Sequence, residues 1–212
     1  MPYDSNKLGN FFNFWRYSMK IAFILFDRMT ALDFVGFYDA VTRLKTMGFN
    51  EKLSWTLCGM KDEISDDRGI TVKIQEVAPD LSQYDLLFVP GGFGTRELLH
   101  DSEFIEWLKA GSNATYKVSV CTGSILFGAA GFLDGKKATT HPNEYDLLRS
   151  YCSEVIEDRI VKDGYVITGG GVATSVDLGL FICELLAGRE AVLRIQKQMD
   201  YPYYKVRQYN LD

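Results

Sequence analysis

The sequence predicts an α/β protein, a three-layer α/β/α sandwich built around a mostly parallel β-sheet. Short β-rich runs alternate with helical patterns from Lys20 onward, and this alternation is typical of parallel strands that are connected by helices. Several β-rich runs are apolar throughout, as expected of strands that are covered on both faces. With 212 residues, of which 47% are hydrophobic, the chain has the length and balance of one compact domain.

The first half of the chain predicts four strands and one helix. The run KIAFILF (20–26) is a buried strand. A helix follows, because apolar residues recur at intervals of three and four before a stop at Gly48: Leu32, Val35 or Phe37, Val41, Leu44 and Met47. Three further β-rich runs predict strands, namely LSWTLCG (53–59), TVKIQ (71–75) and YDLLFVPGG (84–92), the last ending in a turn.

The second half repeats the alternation. FIEWLKAG (104–111) has helical spacing, YKVSV (116–120) is a buried strand, and TGSILFGAAG (122–131) has helical spacing again. The segment 155–170 predicts a hairpin that turns at Asp163-Gly164, an Asp-Gly pair typical of tight hairpins. Two helices are predicted to close the chain. No internal repeat or low-complexity tract divides it.

Residues 1–18 are expected to form an extension outside this fold. Their aromatic stretch FFNFWRY (11–17) has no long aliphatic stem and no small-residue cleavage site, so it does not read as a signal peptide. Met19 directly precedes the first strand and is an alternative start. We therefore expect a single domain over residues 19–212.

Charge and cysteine usage exclude several classes of protein. The net charge is −5 and the basic residues are scattered, which argues against a nucleic-acid partner. No apolar run approaches the ~20 residues of a membrane span. Cys58, Cys121, Cys152 and Cys183 lie 31 or more positions apart, without zinc-type spacing. This pattern favours a reducing, cytoplasmic compartment and predicts no metal.

The most informative position is Cys121, which falls between a buried strand and a helix and precedes Thr122, Gly123 and Ser124. A nucleophile elbow has this layout, because small neighbours tolerate the strained backbone at the carboxyl edge of the sheet. The N-terminus of the following helix favours a thiolate, which would make the cysteine nucleophilic at neutral pH. The alternative is a buried core cysteine, since free cysteines are commonly buried.

Two further features accompany this cysteine. His141 ends the stretch KKATTH (136–141), from which a short strand could return it to the same sheet edge as an orienting group. Gly91 and Gly92 directly follow a strand, so their amide groups could approach a substrate closely. An ordinary glycine turn is an equally good interpretation of that pair.

Together these residues resemble the ThiJ/PfpI superfamily over residues 19 to about 200. The most specific stretch is SVCTGSILFGAAGFLDGKKATTH (119–141), which is similar to the isonitrile hydratase branch and to the sensor domains of related regulators. Residues 24–36, 89–94 and 167–180 support the resemblance. It implies a flavodoxin-like fold of the class I glutamine amidotransferase type and a homodimer. The pattern departs at Pro142, where hydratase-like sequences have Trp.

The resemblance also implies roles for individual residues. Cys121 is the nucleophile, Thr122 supports it, and Asp33 is the acidic residue that approaches the sulfur. Hydratases are expected to carry Asp at this place, whereas other superfamily members carry Glu. Without the resemblance, an equally good interpretation of Asp33 is a residue in the first turn of the helix that complements the helix dipole.

The implied function is hydration of an isonitrile, a small-molecule substrate, to an N-substituted formamide through a cysteine thioimidate. Sulfur and a carboxyl group supply the chemistry, so no cofactor is expected. One alternative is an amidase, peptidase or aldehyde-adduct deglycase with the amides of Gly92 and Thr122 as an oxyanion hole. Another is a stand-alone redox or ligand-sensing domain. Nucleotide enzymes are disfavoured, because no G-x-G-x-x-G or G-K-[ST] motif follows a strand.

Overall fold

The computed structural model describes residues 18–209. The strands in this part are β1 (Met19–Ile24), β2 (Leu53–Gly59), β3 (Glu63–Ser65), β4 (Thr71–Lys73), β5 (Glu76–Val77), β6 (Leu86–Val89), β7 (Tyr116–Val120), β8 (Lys137–Ala138), β9 (Glu154–Val155), β10 (Ile160–Asp163) and β11 (Val166–Gly169). The helices are α1 (Ala31–Thr46), α2 (Thr95–Leu98), α3 (Ser102–Lys109), α4 (Gly123–Ala129), α5 (Tyr145–Leu148) and α6 (Thr174–Met199).

Seven strands form one sheet in the order β10-β11-β7-β6-β1-β2-β5. All neighbours in it are parallel except β10 and β11. The central order β2-β1-β6-β7-β11 is that of flavodoxin-like sheets, in which the chain reverses direction across the sheet at the first strand. Helices α1 and α6 pack together, and α2 packs with α3 and α4. The predicted sandwich with a mostly parallel sheet is therefore confirmed.

Aromatic packing sets the position of α1 over the sheet. The rings of Phe37 in α1 and Phe88 in β6 are stacked with centroids 4.0 Å apart. Phe23 in β1 makes an edge contact with Phe88 at 5.9 Å. On the other side of α1, a Cβ atom on Gly179 would lie 2.7 Å from the Cβ of Ala40, so α6 can pack this closely only because position 179 is glycine. The first turn of α1 is thereby held at the carboxyl edge of the sheet.

The structure differs from the sequence-based elements in three places. Residues 71–75 were predicted as a strand, but β4 covers only Thr71–Lys73 and pairs with β3 in a separate hairpin. The last hairpin pairs Asp163 with Val166, so its turn lies at residues 164–165, one position later than predicted. Leu32 and Val35 belong to the apolar series that predicts α1, yet each is 50% exposed. The two predicted closing helices are present as the two arms of α6, which breaks at Gly188 with φ 67°.

The predicted N-terminal extension, apart from Ser18, lies outside the described residues. In the part of the chain that is described, none of the helices combines the length and the apolar character needed to cross a membrane.

Candidate active site

Cys121 lies at a sharp turn between β7 and α4. Its backbone has φ +54°, a left-handed conformation that is uncommon for a residue with a side chain. The Cys121 N–H donates to the carbonyl oxygens of Gly169 at 3.0 Å and Gly170 at 2.8 Å. Because such backbone strain persists only where the surroundings enforce it, these bonds to the end of β11 explain how the elbow is held.

Two side-chain hydroxyl groups bond to the carbonyl group of Cys121. The carbonyl oxygen of Cys121 accepts hydrogen bonds from Ser124 at 3.2 Å and from Thr140 at 2.9 Å. The sequence reasoning did not identify Thr140 as a site residue. Its approach depends on the return of the chain through β8, the short strand expected before His141.

The loop that contains Gly91 and Gly92 packs directly against the turn at Cys121. A Cβ atom on Gly91 would lie 2.6 Å from the backbone nitrogen of Thr122 and 2.7 Å from the Cβ of Cys121. No side chain fits at such distances, so glycine is required there by the close approach. Gly92 has φ +132°, a conformation that residues with side chains rarely adopt.

Asp33 lies in the first turn of α1 and is fully buried. Its Oδ2 accepts a hydrogen bond from the Gly91 N–H at 2.9 Å, and a Cβ atom on Gly91 would lie 2.7 Å from the Cβ of Cys121, so the same glycine contacts both residues. Oδ1 accepts no hydrogen bond from the described residues. Burial raises the pKa of Asp33 to about 7, although the hydrogen bonds from Gly91 and Cys121 oppose the shift. This carboxyl group therefore exchanges a proton near neutral pH.

The Cys121 thiol is 6% exposed, and burial raises its pKa to about 12, with the negative charge of Asp33 acting in the same direction. Hydrogen bonds from the backbone and hydroxyl groups of Thr122 act the other way. The sequence predicts a thiolate favoured by the helix N-terminus, but burial and Asp33 outweigh that effect. Because the charge of Asp33 affects the pKa of the thiol, the two groups titrate as a coupled pair.

His141 lies at the same edge of the sheet as Cys121 but does not bond to its sulfur. Its Nδ1 accepts a hydrogen bond from the Asn143 N–H at 3.2 Å. A Cβ atom on Gly171 would lie 3.6 Å from its Cδ2. Within residues 18–209, no hydrogen bond joins His141 to Cys121.

The remaining cysteines do not form a second site. Cys58 and Cys183 are buried in the core, whereas Cys152 is half-buried, and all are free. Across the described residues, no three His, Cys, Asp or Glu side chains are grouped in a way that could hold a metal ion.

Burial of Asp33 makes stability depend on pH. The pKa of Asp33 rises from an ordinary 3.8 to about 7 on folding. The neutral carboxyl group therefore favours the folded state below pH ~4, and this contribution is lost as the pH rises to ~7. Asp33→Asn does not titrate, so we expect it to gain stability relative to the wild type between these values. The gain should be on the order of a few kcal/mol.

Thermal unfolding of both proteins at about pH 4 and about pH 8 measures this difference. Asp39→Asn is the matched control, because Asp39 lies on the same helix with a side chain that is 50% exposed. A difference between Asp33→Asn and wild type that stays constant with pH would contradict the raised pKa.

The chain is similar to known proteins over most of its length. A model described as the DJ-1/PfpI family matches residues 19–185. Isonitrile hydratase of Pseudomonas putida is 34% identical over 187 residues, which are 87% of this chain and 79% of that protein. Protein DJ-1 homolog B of Arabidopsis thaliana is 36% identical over 124 residues, or 55% of this chain and 27% of that protein.

Among solved structures, a ThiJ/PfpI family protein from Pseudomonas syringae superposes with a TM-score of 0.81 and 28% identity. The superposition covers 99% of this chain and 84% of that chain.

Proposed function

The chain belongs to the DJ-1/PfpI family, and we propose that it hydrates an isonitrile, R–N≡C, to an N-substituted formamide through a thioimidate on Cys121. The observation that carries this proposal is the buried Asp33 carboxyl group beside Cys121, because burial raises its pKa to about 7 and its negative charge raises the pKa of the Cys121 thiol. A carboxyl group with such a pKa serves as base and as acid in turn at neutral pH. The similarity to an isonitrile hydratase supports the same chemistry.

In the first half of the reaction, ionised Asp33 takes the thiol proton as the sulfur bonds to the terminal carbon of the isonitrile. That carbon carries a lone pair and receives the proton back from Asp33. Sulfur and hydrogen are thus added to the same carbon, which gives the thioimidate R–N=CH–S–Cys121. Asp33 returns to its ionised form, and no electron donor or acceptor is needed.

In the second half, Asp33 removes a proton from water, and the oxygen bonds to the thioimidate carbon. The proton passes to the nitrogen, which gives R–NH–CH(OH)–S–Cys121. The carbon–sulfur bond then breaks, the hydroxyl proton returns to the sulfur through Asp33, and the formamide R–NH–CHO leaves. The sum is the addition of one water molecule to one isonitrile.

Hydrogen bonding in the glycine loop disfavours the amidase and deglycase alternative. That chemistry needs free amide donors for an oxyanion. Here the Gly91 N–H is bonded to Asp33 at 2.9 Å, and the Gly92 N–H is bonded to the Thr122 hydroxyl at 3.0 Å. Hydration of an isonitrile develops no oxyanion on a carbonyl group in its first step, so it does not require these donors.

The test is incubation of the full chain with an alkyl isonitrile in ¹⁸O-labelled water. We expect N-alkylformamide that carries one labelled oxygen, detected by mass spectrometry, and a thioimidate adduct on the Cys121 peptide at early times. Methylglyoxal and a peptide amide are assayed in parallel. Turnover of either of these without formamide would overturn the proposal in favour of the alternative, and oxidation of Cys121 by peroxide without any turnover would favour a sensor.

We also propose that two copies of this chain associate through the first turns of α1. Leu32 and Val35 lie on one face of this helix and are each 50% exposed, beside the buried Asp33. A second copy would cover this apolar rim of the site. The family resemblance independently implies a homodimer.

For this interface, we expect Leu32→Arg to shift the mass measured by light scattering from two chains to one. Leu193→Arg is the matched control, because Leu193 is 45% exposed on α6 and lies outside the proposed interface. A monomeric wild type, or a dimeric Leu32→Arg variant, would contradict the proposed association.

A further inference from the structure

We propose that Phe93 is a specificity-determining residue, whose ring forms an aromatic wall for the R group of the substrate beside Cys121. This inference rests on the proposed function and deepens it, because it names aryl isonitriles as the substrate class. Phe93 directly follows Gly92 and is 55% exposed. It is not among the described residues that form the hydrophobic core, so its ring is available to a ligand.

The turn that carries Phe93 is anchored on Thr122, the neighbour of the nucleophile. The Gly92 N–H donates to the Thr122 hydroxyl oxygen at 3.0 Å, and the Thr95 hydroxyl lies 3.1 Å from the same oxygen. Within the turn, the Thr95 N–H donates to the Gly92 carbonyl oxygen at 3.2 Å. Because consecutive Cα atoms are only ~3.8 Å apart, these contacts hold Phe93 close to Thr122 and Cys121.

Arg96 fixes the orientation of the Phe93 ring. Its guanidinium carbon lies 4.8 Å from the ring centroid, which is a cation–π contact over one face of the ring. The same guanidinium group forms an ion pair with the partly buried Glu144 carboxylate. A single exposed aromatic residue needs no functional explanation. The Phe93 ring differs from such a residue, because it is held by a cation that is itself paired.

Glu144 belongs to a second segment that contacts the turn at Cys121. Thr140, four residues earlier, donates its hydroxyl proton to the Cys121 carbonyl oxygen at 2.9 Å. The ion pair between Arg96 and Glu144 therefore joins two segments that each bond to this turn. Because the pair connects them outside the buried Cys121, the Phe93 ring lies at the rim of the site.

The exposed face of the Phe93 ring determines which R group binds best. Arg96 covers one face of the ring, and the other face is available for stacking. Planar aromatic groups contact such a face more favourably than the area they bury accounts for. Burial of apolar area alone barely distinguishes a phenyl group from a cyclohexyl group, since the two are nearly equal in size. A preference for phenyl over cyclohexyl therefore measures the contribution of this ring.

The first test does not depend on isonitrile chemistry. Cys121 is alkylated with N-phenyl iodoacetamide and, separately, with N-cyclohexyl iodoacetamide, and each rate is measured by mass spectrometry of its peptide. In both reactions the sulfur loses its proton and displaces iodide. We expect Phe93→Leu, which stays apolar but lacks the ring, to lower the phenyl-to-cyclohexyl rate ratio about 5-fold. Comparing this ratio between proteins cancels the different intrinsic reactivities of the two reagents.

Three controls accompany this test. Phe93→Trp retains an aromatic face and should keep the ratio within about 2-fold of the wild type. Tyr165→Leu should keep the wild-type ratio, because Tyr165 is 62% exposed and precedes β11 at the opposite edge of the sheet from Cys121. The ratio at the half-buried Cys152 should be the same in Phe93→Leu and the wild type. A wild-type ratio at Cys121 in Phe93→Leu, or an equal fall in Tyr165→Leu, would overturn the proposal.

The second test uses phenyl isonitrile and cyclohexyl isonitrile as substrates. We expect Phe93→Leu to raise KM for phenyl isonitrile about 5-fold with kcat within about 2-fold of the wild type, because the ring contacts the R group and not the reacting carbon. KM for cyclohexyl isonitrile should change less than about 2-fold. A fall in kcat at an unchanged KM would overturn the assignment. Absence of isonitrile turnover with the alkylation result intact would remove the proposed function and leave the aromatic wall beside Cys121.

Discussion

Replacement of Cys121 by alanine is expected to abolish formamide production, with a loss on the order of 10⁴-fold or more. The reason is that the sulfur forms the covalent bond to the isonitrile carbon in the proposed mechanism, and the Asp33 carboxyl group does not replace it as the nucleophile. Without the sulfur no thioimidate forms, so the variant has no intermediate that water and Asp33 could hydrolyse. The measurement is the initial rate of formamide release from an alkyl isonitrile at neutral pH.

Cys152→Ala is the matched control for this experiment. Cys152 is a free, half-buried cysteine whose sulfur contacts the Leu148 carbonyl oxygen and lies outside the Cys121–Asp33 pair. We expect the wild-type rate for this variant. Normal turnover by Cys121→Ala would contradict the covalent mechanism. It would also contradict the proposed role of Asp33 in that mechanism.

Asp33→Asn is expected to have opposite effects on two reactions of the same sulfur. Hydration should fall by roughly 10²- to 10⁴-fold, because asparagine neither accepts the thiol proton nor returns it to carbon. Alkylation of Cys121 by iodoacetamide should become several-fold faster at about pH 8. The negative charge of Asp33 raises the pKa of the Cys121 thiol, and the substitution removes that charge.

The pH dependence of the alkylation rate tests whether the charge of Asp33 causes this difference between the two proteins. The pKa of Asp33 is about 7, so wild-type Asp33 is mostly neutral at about pH 5, and the two proteins should then alkylate at similar rates. Their rates should diverge as the pH rises through ~7 and Asp33 ionises. Asp39→Asn, on the exposed side of α1, should follow the wild type in both reactions. Slower alkylation by Asp33→Asn at every pH would contradict the proposed pairing.

The strands and helices were largely predictable because their signals are local. β2 and β7 occupy the residues predicted for them, since a short apolar run between turn residues defines a strand covered on both faces. The strand predicted at residues 71–75 is present as β4, but its pairing with β3 outside the main sheet could not be predicted, because a β-rich run does not indicate which sheet it joins. The exposure of Leu32 and Val35 could not be predicted either. Helical periodicity identifies apolar positions on a helix, but it does not show whether other parts of the chain cover them.

The site was predictable only where a residue has a local signature. Cys121 could be recognised from the strand before it and the small residues after it. Asp33 could be selected only through the family resemblance, because a first-turn aspartate has an ordinary explanation as a helix-dipole partner. Thr95 and Thr140 had no signature, since each reaches the elbow from a distant part of the chain.

From the order of its residues, this chain specifies a parallel sheet, its flanking helices and a cysteine at a strand-to-helix turn, because periodicity and turn chemistry act over a few neighbouring residues. The protonation of that cysteine depends on the folded chain. Asp33 lies 88 positions away from it in the sequence; burial raises the pKa of both groups, and the charge of Asp33 raises that of the thiol further. Such effects exist only when distant segments exclude water together.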